Sequence, residues 1–455
     1  MTPISPGQHI LIPGAGLVGS LAGIWLSKLG FRATLLDKRS KPGTPGYDQS
    51  RSINLALSHR GWKALGEIGV HVDIGPVALP MEGRIVHDME GRTQFQPYGR
   101  AGQAIYSVSR SNLNRVLNER ASAEPGVEIH YRTRATSIDI ERHQVFAETP
   151  EGQRTYHGDA ILSCDGAFSA MRQAFQTSDR FDFSQDYIAH GYQEFHMEPT
   201  ATGDWAMDPN GLHIWPRKSF MMIALPNPDK SFTCTLFLGW EGSEDSFAAL
   251  KDAGYARMWL QDNFPDFCAR VPDFAEQARK NVVSSLVTIR CFPWYKQRSL
   301  LLGDAAHAIV PFYGQGMNAG FEDVDILMHM LPKAKTWEGL FMDFAKARKP
   351  DTDAIADLAL ANFVEMRDKV ADPLFLFQKK IDARLAALLP ERWVPLYTMV
   401  SFTSTPYSEA WARGREQERL IRRIMDLPGV EERYLQDDWL LDALSRVEFG
   451  MVVTR

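Results

Sequence analysis

Near its start the chain has a charge-free run in which a short apolar strand, Ile10-Leu11-Ile12, leads directly into Gly14-Ala15-Gly16-Leu17-Val18-Gly19 and a helical pattern. Strand, glycine turn and helix in that order leave few folding options. Gly14 permits the tight turn, Gly16 lets the backbone approach a pyrophosphate, and Gly19 lets the helix lie close on the strand with its N-terminus facing the anion. The helix runs through Leu21, Ile24 and Trp25 and stops near Gly30, a suitable left-handed cap. A second strand, Ala33 to Leu36, delivers Asp37, whose carboxylate can accept hydrogen bonds from ribose hydroxyls. Glycines alone would fit any tight turn. With the acid at this distance they predict a dinucleotide site, and the acid disfavours a 2′-phosphate, so FAD or NAD suits it better than NADP. As a membrane span, Ile10 to Leu26 is short, interrupted by Pro13 and glycines, and lacks a basic lead-in. It reads as a soluble core element.

A second glycine turn lies far along the chain. Leu300-Leu301-Leu302 reads as a buried strand ending at Gly303-Asp304, and Gly314-Gln315-Gly316 opens a helix with Met317, Phe321, Val324, Met328 and Leu331 on one stripe. The stripe is core. The helix N-terminus can offer free amides to a ring edge that becomes negative on reduction. Two such grips imply one large bound cofactor.

At 455 residues, two or three domains are expected. A formal charge of -6 with no basic stripe argues against nucleic acid as the main partner. Cys164, Cys234, Cys268 and Cys291 show no metal-ligand spacing, so reduced thiols in a cytoplasmic protein are expected, with no metal. No later stretch, including the region after Asp372, is apolar enough for a membrane anchor.

Between the grips the pattern changes. Gly83 to Asp88 and Thr93 to Tyr98 alternate as strands around Met89-Glu90-Gly91-Arg92, and folding that hairpin brings Arg84 and Tyr98 together. Taken alone, a solvated arginine beside a surface tyrosine explains the pair better. An α/β pattern returns at Ser109-Arg110-Ser111-Asn112-Leu113, an N-capped helix with an arginine at its start. Strands at Glu128–Tyr131, Gln144–Ala147 and Thr155–His157 follow, and an apolar strand from Asp159 to Cys164 ends in Asp165-Gly166. From Tyr187 to Val287 a second sheet is expected, with Thr233, Thr235 and Phe237 on one strand face, as in a pocket wall or any half-buried sheet. From Asp351 onward the chain reads as helical, with Asn362, Glu365 and Met366 on one face.

The ordered trio Gly14 to Gly19, Asp165-Gly166 and Gly303-Asp304 resembles the single-component FAD-dependent aromatic hydroxylases of the para-hydroxybenzoate hydroxylase class. Within that class, Arg51 to Leu57, Gly83-Arg84, Gln96 to Arg100, Leu212 to Pro216, Phe232 to Leu238, Val310 to Asn318, Asn362 to Met366 and Tyr397 to Val400 resemble the kynurenine 3-monooxygenase family nearly end to end. Three positions depart from the usual pattern: Pro13 before the first glycine, Ser163 where glycine is common, and Tyr313 where histidine is common.

The resemblance implies an α/β fold made of a discontinuous Rossmann-like FAD-binding domain (1–75, 100–182 and 288–350), a mixed-sheet substrate domain (76–99 and 183–287) and a helical region (351–455). It implies hydroxylation of L-kynurenine to 3-hydroxy-L-kynurenine with NADPH and O2, through a hydroperoxide on reduced flavin. Carried over by motif, Arg84, Tyr98, Asn362 and Tyr397 hold the substrate carboxylate, Phe237 and Phe312 pack on its ring, and Met366 fills the remaining space. FAD falls to Gly14, Gly16, Gly19, Asp37, Arg51, Arg110, Asp165, Gly166, Gly303, Asp304, Gly316, Met317 and Asn318. No protein nucleophile is implied, because the flavin supplies the hard chemistry. His307 reads as a packing or hydrogen-bonding residue. The alternatives are a hydroxylase of another aromatic carboxylate and a non-catalytic FAD-fold module that binds protein.

Overall fold

The computed structural model describes residues 3–44, 54–177, 180–369 and 372–448. Its first layer is a six-stranded sheet in the order Tyr295–Lys296, Ser299–Leu301, Ala160–Ser163, His9–Pro13, Arg32–Leu36, Val127–His130, parallel except at the Tyr295–Lys296 edge. Ile10, Leu11, Ile12, Leu300 and Leu301 are fully buried in it, as expected of strands covered on both faces. The helix Leu17–Lys28 packs on Arg110–Ala123 and Gly316–Met330, which explains why it carries no charge before Lys28: Leu21, Ala22 and Leu26 have no exposed surface.

The second layer is a seven-stranded sheet in the order Ser284–Phe292, Asp182–Met197, Phe232–Gly239, Phe220–Pro226, Gly211–Arg217, Gly83–His87, Thr93–Pro97. Its neighbours are antiparallel except Gly211–Arg217 beside Gly83–His87, which joins segments distant in the chain. Strand alternation divides its residues. Phe195, Trp215, Phe232, Cys234, Leu236 and Leu238 pack with Trp259, Phe264 and Phe267 from the short helices after Asp252, whereas Ile214, Met221 and Phe237 face Phe312, Phe363 and Met399.

The α/β architecture with multiple sheets and C-terminal helices matches expectation, and two details differ. Gln144–Thr149 and Gly152–His157 join Arg134–Asp139 in a separate antiparallel meander, because the two-residue connection at Pro150-Glu151 folds the chain back and leaves no crossover for a parallel sheet. The helix Trp337–Val364 runs through Pro350 without ending, so the expected boundary at 350/351 falls inside a helix, as 287/288 falls inside the strand Ser284–Phe292.

That helix is fastened by a buried charge cluster. Arg348, 2% exposed, reaches Asp323 at 3.0 Å, Glu322 at 3.0 Å and Asp351 at 3.3 Å, while Arg60 pairs with Glu322 and stacks on Tyr407. The carboxylates raise the Arg348 pKa despite burial, the largest influence, which works against the charge. Removing one partner of such a cluster strands the others in low dielectric. Arg348→Met is expected to cost about 3 kcal/mol or more, read as a lowered urea midpoint with an unchanged slope.

Candidate active site

Arg84 projects from the strand Gly83–His87, opposite Gln96. Gly83 has to be glycine, since a Cβ there would fall 2.4 Å from the Gln96 carbonyl oxygen. Tyr98 leaves the partner strand with its amide bonded to the Glu82 carbonyl at 3.0 Å. The hairpin thus brings the pair together: the Arg84 guanidinium carbon lies 5.8 Å from the Tyr98 ring centre and 5.5 Å from that of Tyr397, on the helix Leu396–Phe402. The two tyrosine rings stack at 4.8 Å, and Tyr313 stacks on Tyr397 at 5.6 Å.

One residue outside the expected set completes this corner. A Glu365 carboxylate oxygen sits 3.6 Å from Arg84 Nη1. Its signal was its place on the helical face shared with Asn362 and Met366, yet spacing alone could not show which arginine it would meet. Burial works against the Arg84 charge, but Tyr98, Glu365, Tyr397 and Tyr313 raise its pKa above the usual arginine range. Burial also pushes the pKa values of Tyr98, Tyr313 and Tyr397 upward, so all three remain neutral hydroxyls. Arg84 Nε is buried without a hydrogen-bond partner. An orphaned buried donor costs about 1–3 kcal/mol, so this corner is set for an acceptor from outside the chain.

Aromatic rings pack beside this corner. Phe312 stacks on Phe363 at 4.1 Å and meets Phe237 at 5.0 Å. Asn362 Nδ2 donates to the Phe312 carbonyl at 2.6 Å and contacts Met366 Sδ at 3.2 Å. With its amide hydrogens engaged, Asn362 has only its carbonyl oxygen left to offer. A carbonyl oxygen suits an ammonium, so in this arrangement Asn362 would face the amine end of an amino acid and the Arg84 corner the carboxylate end.

The cofactor residues assemble around the first helix. A Cβ on Gly14 would lie 2.2 Å from the Cys164 carbonyl oxygen, and one on Gly19 would lie 1.9 Å from that of Gly14, so the fold itself demands both glycines. A Cβ on Gly16 would meet nothing within 4 Å. Its absence leaves room for something the chain does not supply. Gly303 packs against Val18, where its Cβ would stand 3.1 Å from a valine methyl, and Gly320 approaches the same methyl at 2.7 Å. The two glycine turns therefore converge on one side chain.

Around them, Asp304 is exposed at the start of the helix Asp304–His307, and Gly316 and Met317 open the helix Gly316–Met330 after Gly314, which takes the left-handed conformation. Asp165 Oδ2 accepts from the Met171 amide at 3.2 Å while Oδ1 is buried without a partner, and Gly166 has φ +87. Arg110 is exposed on the first turn of its helix, which also sends Asn114 and Asn118 to the Ala15 carbonyl at 3.2 and 3.0 Å. Open space over Gly16, the unpartnered Asp165 oxygen and two helix N-termini fit a dinucleotide cofactor.

Two expected contacts are altered. The Asn318 side chain bonds the Ser58 amide and the Ala56 and Gly314 carbonyls, leaving only its backbone for the cofactor. Asp37 already accepts from the Ala15 amide and from the Arg39 amide and guanidinium, so a ribose hydroxyl must displace the half-buried Arg39 side chain. Arg51 lies outside the described residues. His307 bonds Asp323 at 2.5 Å in the buried cluster, a structural role.

The FAD binding domain family matches residues 8–339 of the chain. Kynurenine 3-monooxygenase of Flavobacterium psychrophilum is 44% identical over 431 residues, covering 94% of this chain and 96% of that protein. The enzyme of the same name from Anopheles gambiae is 39% identical over 423 residues, covering 91% and 86%. Among solved structures, 2-methyl-3-hydroxypyridine-5-carboxylic acid oxygenase superposes with a TM-score of 0.67 at 19% identity, over 82% of this chain and 96% of that one. The p-nitrophenol 4-monooxygenase of Pseudomonas putida gives 0.63 at 16% identity, over 91% and 99%. At those identities the solved structures speak for the fold.

The glycine geometry separates binding from stability. Gly16→Ala is expected to weaken FAD binding to the apoprotein while leaving its melting temperature within a few degrees, whereas Gly14→Ala, strained at φ +101, lowers the apoprotein melting temperature itself. Equal melting losses in both variants would contradict this assignment.

Proposed function

The chain belongs to the kynurenine 3-monooxygenase family of FAD-dependent hydroxylases, and from that premise we propose that Arg84 takes the α-carboxylate of L-kynurenine while the ring enters the space beside Phe237 and Phe312. The carrying observation is the buried corner of Arg84, Tyr98 and Tyr397, with Arg84 Nε unpartnered, beside an aromatic cluster that includes Phe237 and Phe312. The reaction consumes L-kynurenine, O2, NADPH and a proton, and yields 3-hydroxy-L-kynurenine, water and NADP+. FAD, held by the cofactor residues named below, would supply the redox chemistry that activates oxygen, with the pyridine nucleotide as reductant.

The chain's own side chains do the rest. A guanidinium offers two parallel N–H groups to a carboxylate, and the Tyr98 and Tyr397 hydroxyls, kept neutral by burial, donate beside it. Glu365, which holds Arg84 while no substrate is bound, receives the α-ammonium, and the Asn362 carbonyl oxygen supports it. An amino acid thus replaces one ion pair with two. Phe312, backed by Phe363, fixes the plane of the aniline ring, and Met366 closes the space, which excludes water from the electron-rich carbon under attack. Cofactor contacts are assigned to Gly14, Gly16, Gly19, Asp165, Gly166, Gly303, Asp304, Gly316 and Met317, with Asp37 contributing once Arg39 moves.

Arg84→Met is expected to weaken L-kynurenine binding by on the order of 2 kcal/mol or more, roughly thirtyfold, read as a shift in the concentration that perturbs the bound FAD spectrum. Glu365→Gln should lose discrimination between L-kynurenine and its analogue lacking the α-amine. A holoenzyme reduced equally fast with and without L-kynurenine, and binding it equally well after Arg84→Met, would overturn the substrate assignment.

A further inference from the structure

The helix His59–Glu67 packs along the helix Gly316–Met330, and charged side chains cross between them turn by turn. Arg60 meets Glu322, and Lys63 Nζ meets Asp325 Oδ2 at 2.7 Å. At the next turn the order of charge reverses: Glu67 on the first helix comes beside His329 on the second, four residues beyond Asp325. The two backbones are held close. A Cβ on Gly61 would fall 2.6 Å from Asn318 Oδ1, the atom that accepts the Ser58 amide at 2.9 Å.

Asp325 is 3% exposed, and only one of its carboxylate oxygens is hydrogen-bonded. Lys63 takes Oδ2, while Oδ1 is buried without a hydrogen-bond partner. His329 Nδ1 stands 3.1 Å from Oδ1 but 2.8 Å from the Asp325 carbonyl oxygen. Nδ1 carries at most one hydrogen, and the closer carbonyl is placed to take it, so Oδ1 stays bare. A bare carboxylate oxygen out of reach of water calls for a cation.

Among the described residues, Glu67, Asp325 and His329 are the one trio of His, Cys, Asp or Glu whose ligand atoms all lie within 4.8 Å of one another. With bonds of about 2.1 Å, two ligand atoms on one cation stand roughly 3.0–3.4 Å apart, and the 3.1 Å between Asp325 Oδ1 and His329 Nδ1 suits such a pair. The His329 ring is set edge-on to Trp25 at 5.5 Å. Glu67, exposed at the end of its helix, is free to swing inward. An open depression of about 270 Å³ beside Asp325 and His329 leaves room for water ligands. Lys63 and Lys333 border it and work against any cation, which favours an ion that bonds imidazole directly over magnesium or calcium.

We propose that Asp325, His329 and Glu67 form a binding site for a divalent cation of the zinc class. Asp325 Oδ1 and one ring nitrogen of His329 come from one helix and a Glu67 carboxylate oxygen from the other, as in metal sites between facing helices. Lys63, on the second Asp325 oxygen, orients the carboxylate. The ion ties the last turn of His59–Glu67 to the helix Gly316–Met330.

The test is calorimetric titration of the untagged, FAD-loaded full chain, treated with chelator and then dialysed, with zinc chloride in neutral buffer. One saturable site per chain is expected, with Kd at least about tenfold weaker in His329→Gln and in Glu67→Gln. Both side chains are exposed, so these variants keep the fold. His196→Gln, which removes an exposed imidazole beside Glu198, is the control and should bind zinc as the native chain does. Saturating zinc should also raise the native melting temperature by on the order of 2 °C, and not that of His329→Gln. Asp325→Asn is expected to abolish binding, and if it does not fold, the two exposed ligands carry the comparison. No saturable zinc binding, native affinity in His329→Gln or Glu67→Gln, an equal loss in His196→Gln, or magnesium bound as tightly as zinc overturns the proposal.

Discussion

The contact around Val18 holds the cofactor region together. Gly303 and Gly320 both come against the same valine methyl, at separations no larger residue could share, and that brings the third glycine motif onto the helix opened by the first. Close packing of this kind is selective for volume: one added methyl must move backbone or valine. Because Asp304 follows Gly303, and Gly316 opens the helix that contains Gly320, the same contact sets the position of every late-chain group assigned to the cofactor.

From that contact, order spreads toward the C-terminus through polar groups. The Gly316–Met330 helix carries Glu322 and Asp323 into the buried cluster with Arg60, Arg348 and His307, and Gln315 just before it accepts from the Tyr407 hydroxyl at 2.9 Å. Asp351 receives the Ser408 amide and hydroxyl at 3.0 and 2.6 Å. The C-terminal helices are therefore bonded to the loop that precedes the helix Gly316–Met330. Such a network is costly to interrupt and specifies one arrangement when fully satisfied.

Much of this was legible in the sequence where the signal was local. The glycine turns, their flanking strands, the N-cap at Ser109 and the hairpin carrying Arg84 and Tyr98 follow from backbone sterics and alternation, which act over a few residues. Pairings between charges far apart in the chain do not. For Arg60 and Glu322, Arg84 and Glu365, and His87 and Asp266, nothing in spacing reveals that the two partners meet. Asn362 was legible as a candidate for the site, but the direction of its amide depends on the Phe312 carbonyl, a tertiary contact. Pro350 misled in the opposite sense: a helix anchored by Arg348 and Asp351 absorbs one missing hydrogen bond.

The ion pair between Arg84 and Glu365 has a consequence for which molecules the pocket admits. Lys379 also reaches Glu365, at 3.9 Å, so two cations share one carboxylate and the corner keeps a positive balance. A guest carboxylate that drew Arg84 away would leave Glu365 paired with Lys379, so the exchange strands no charge.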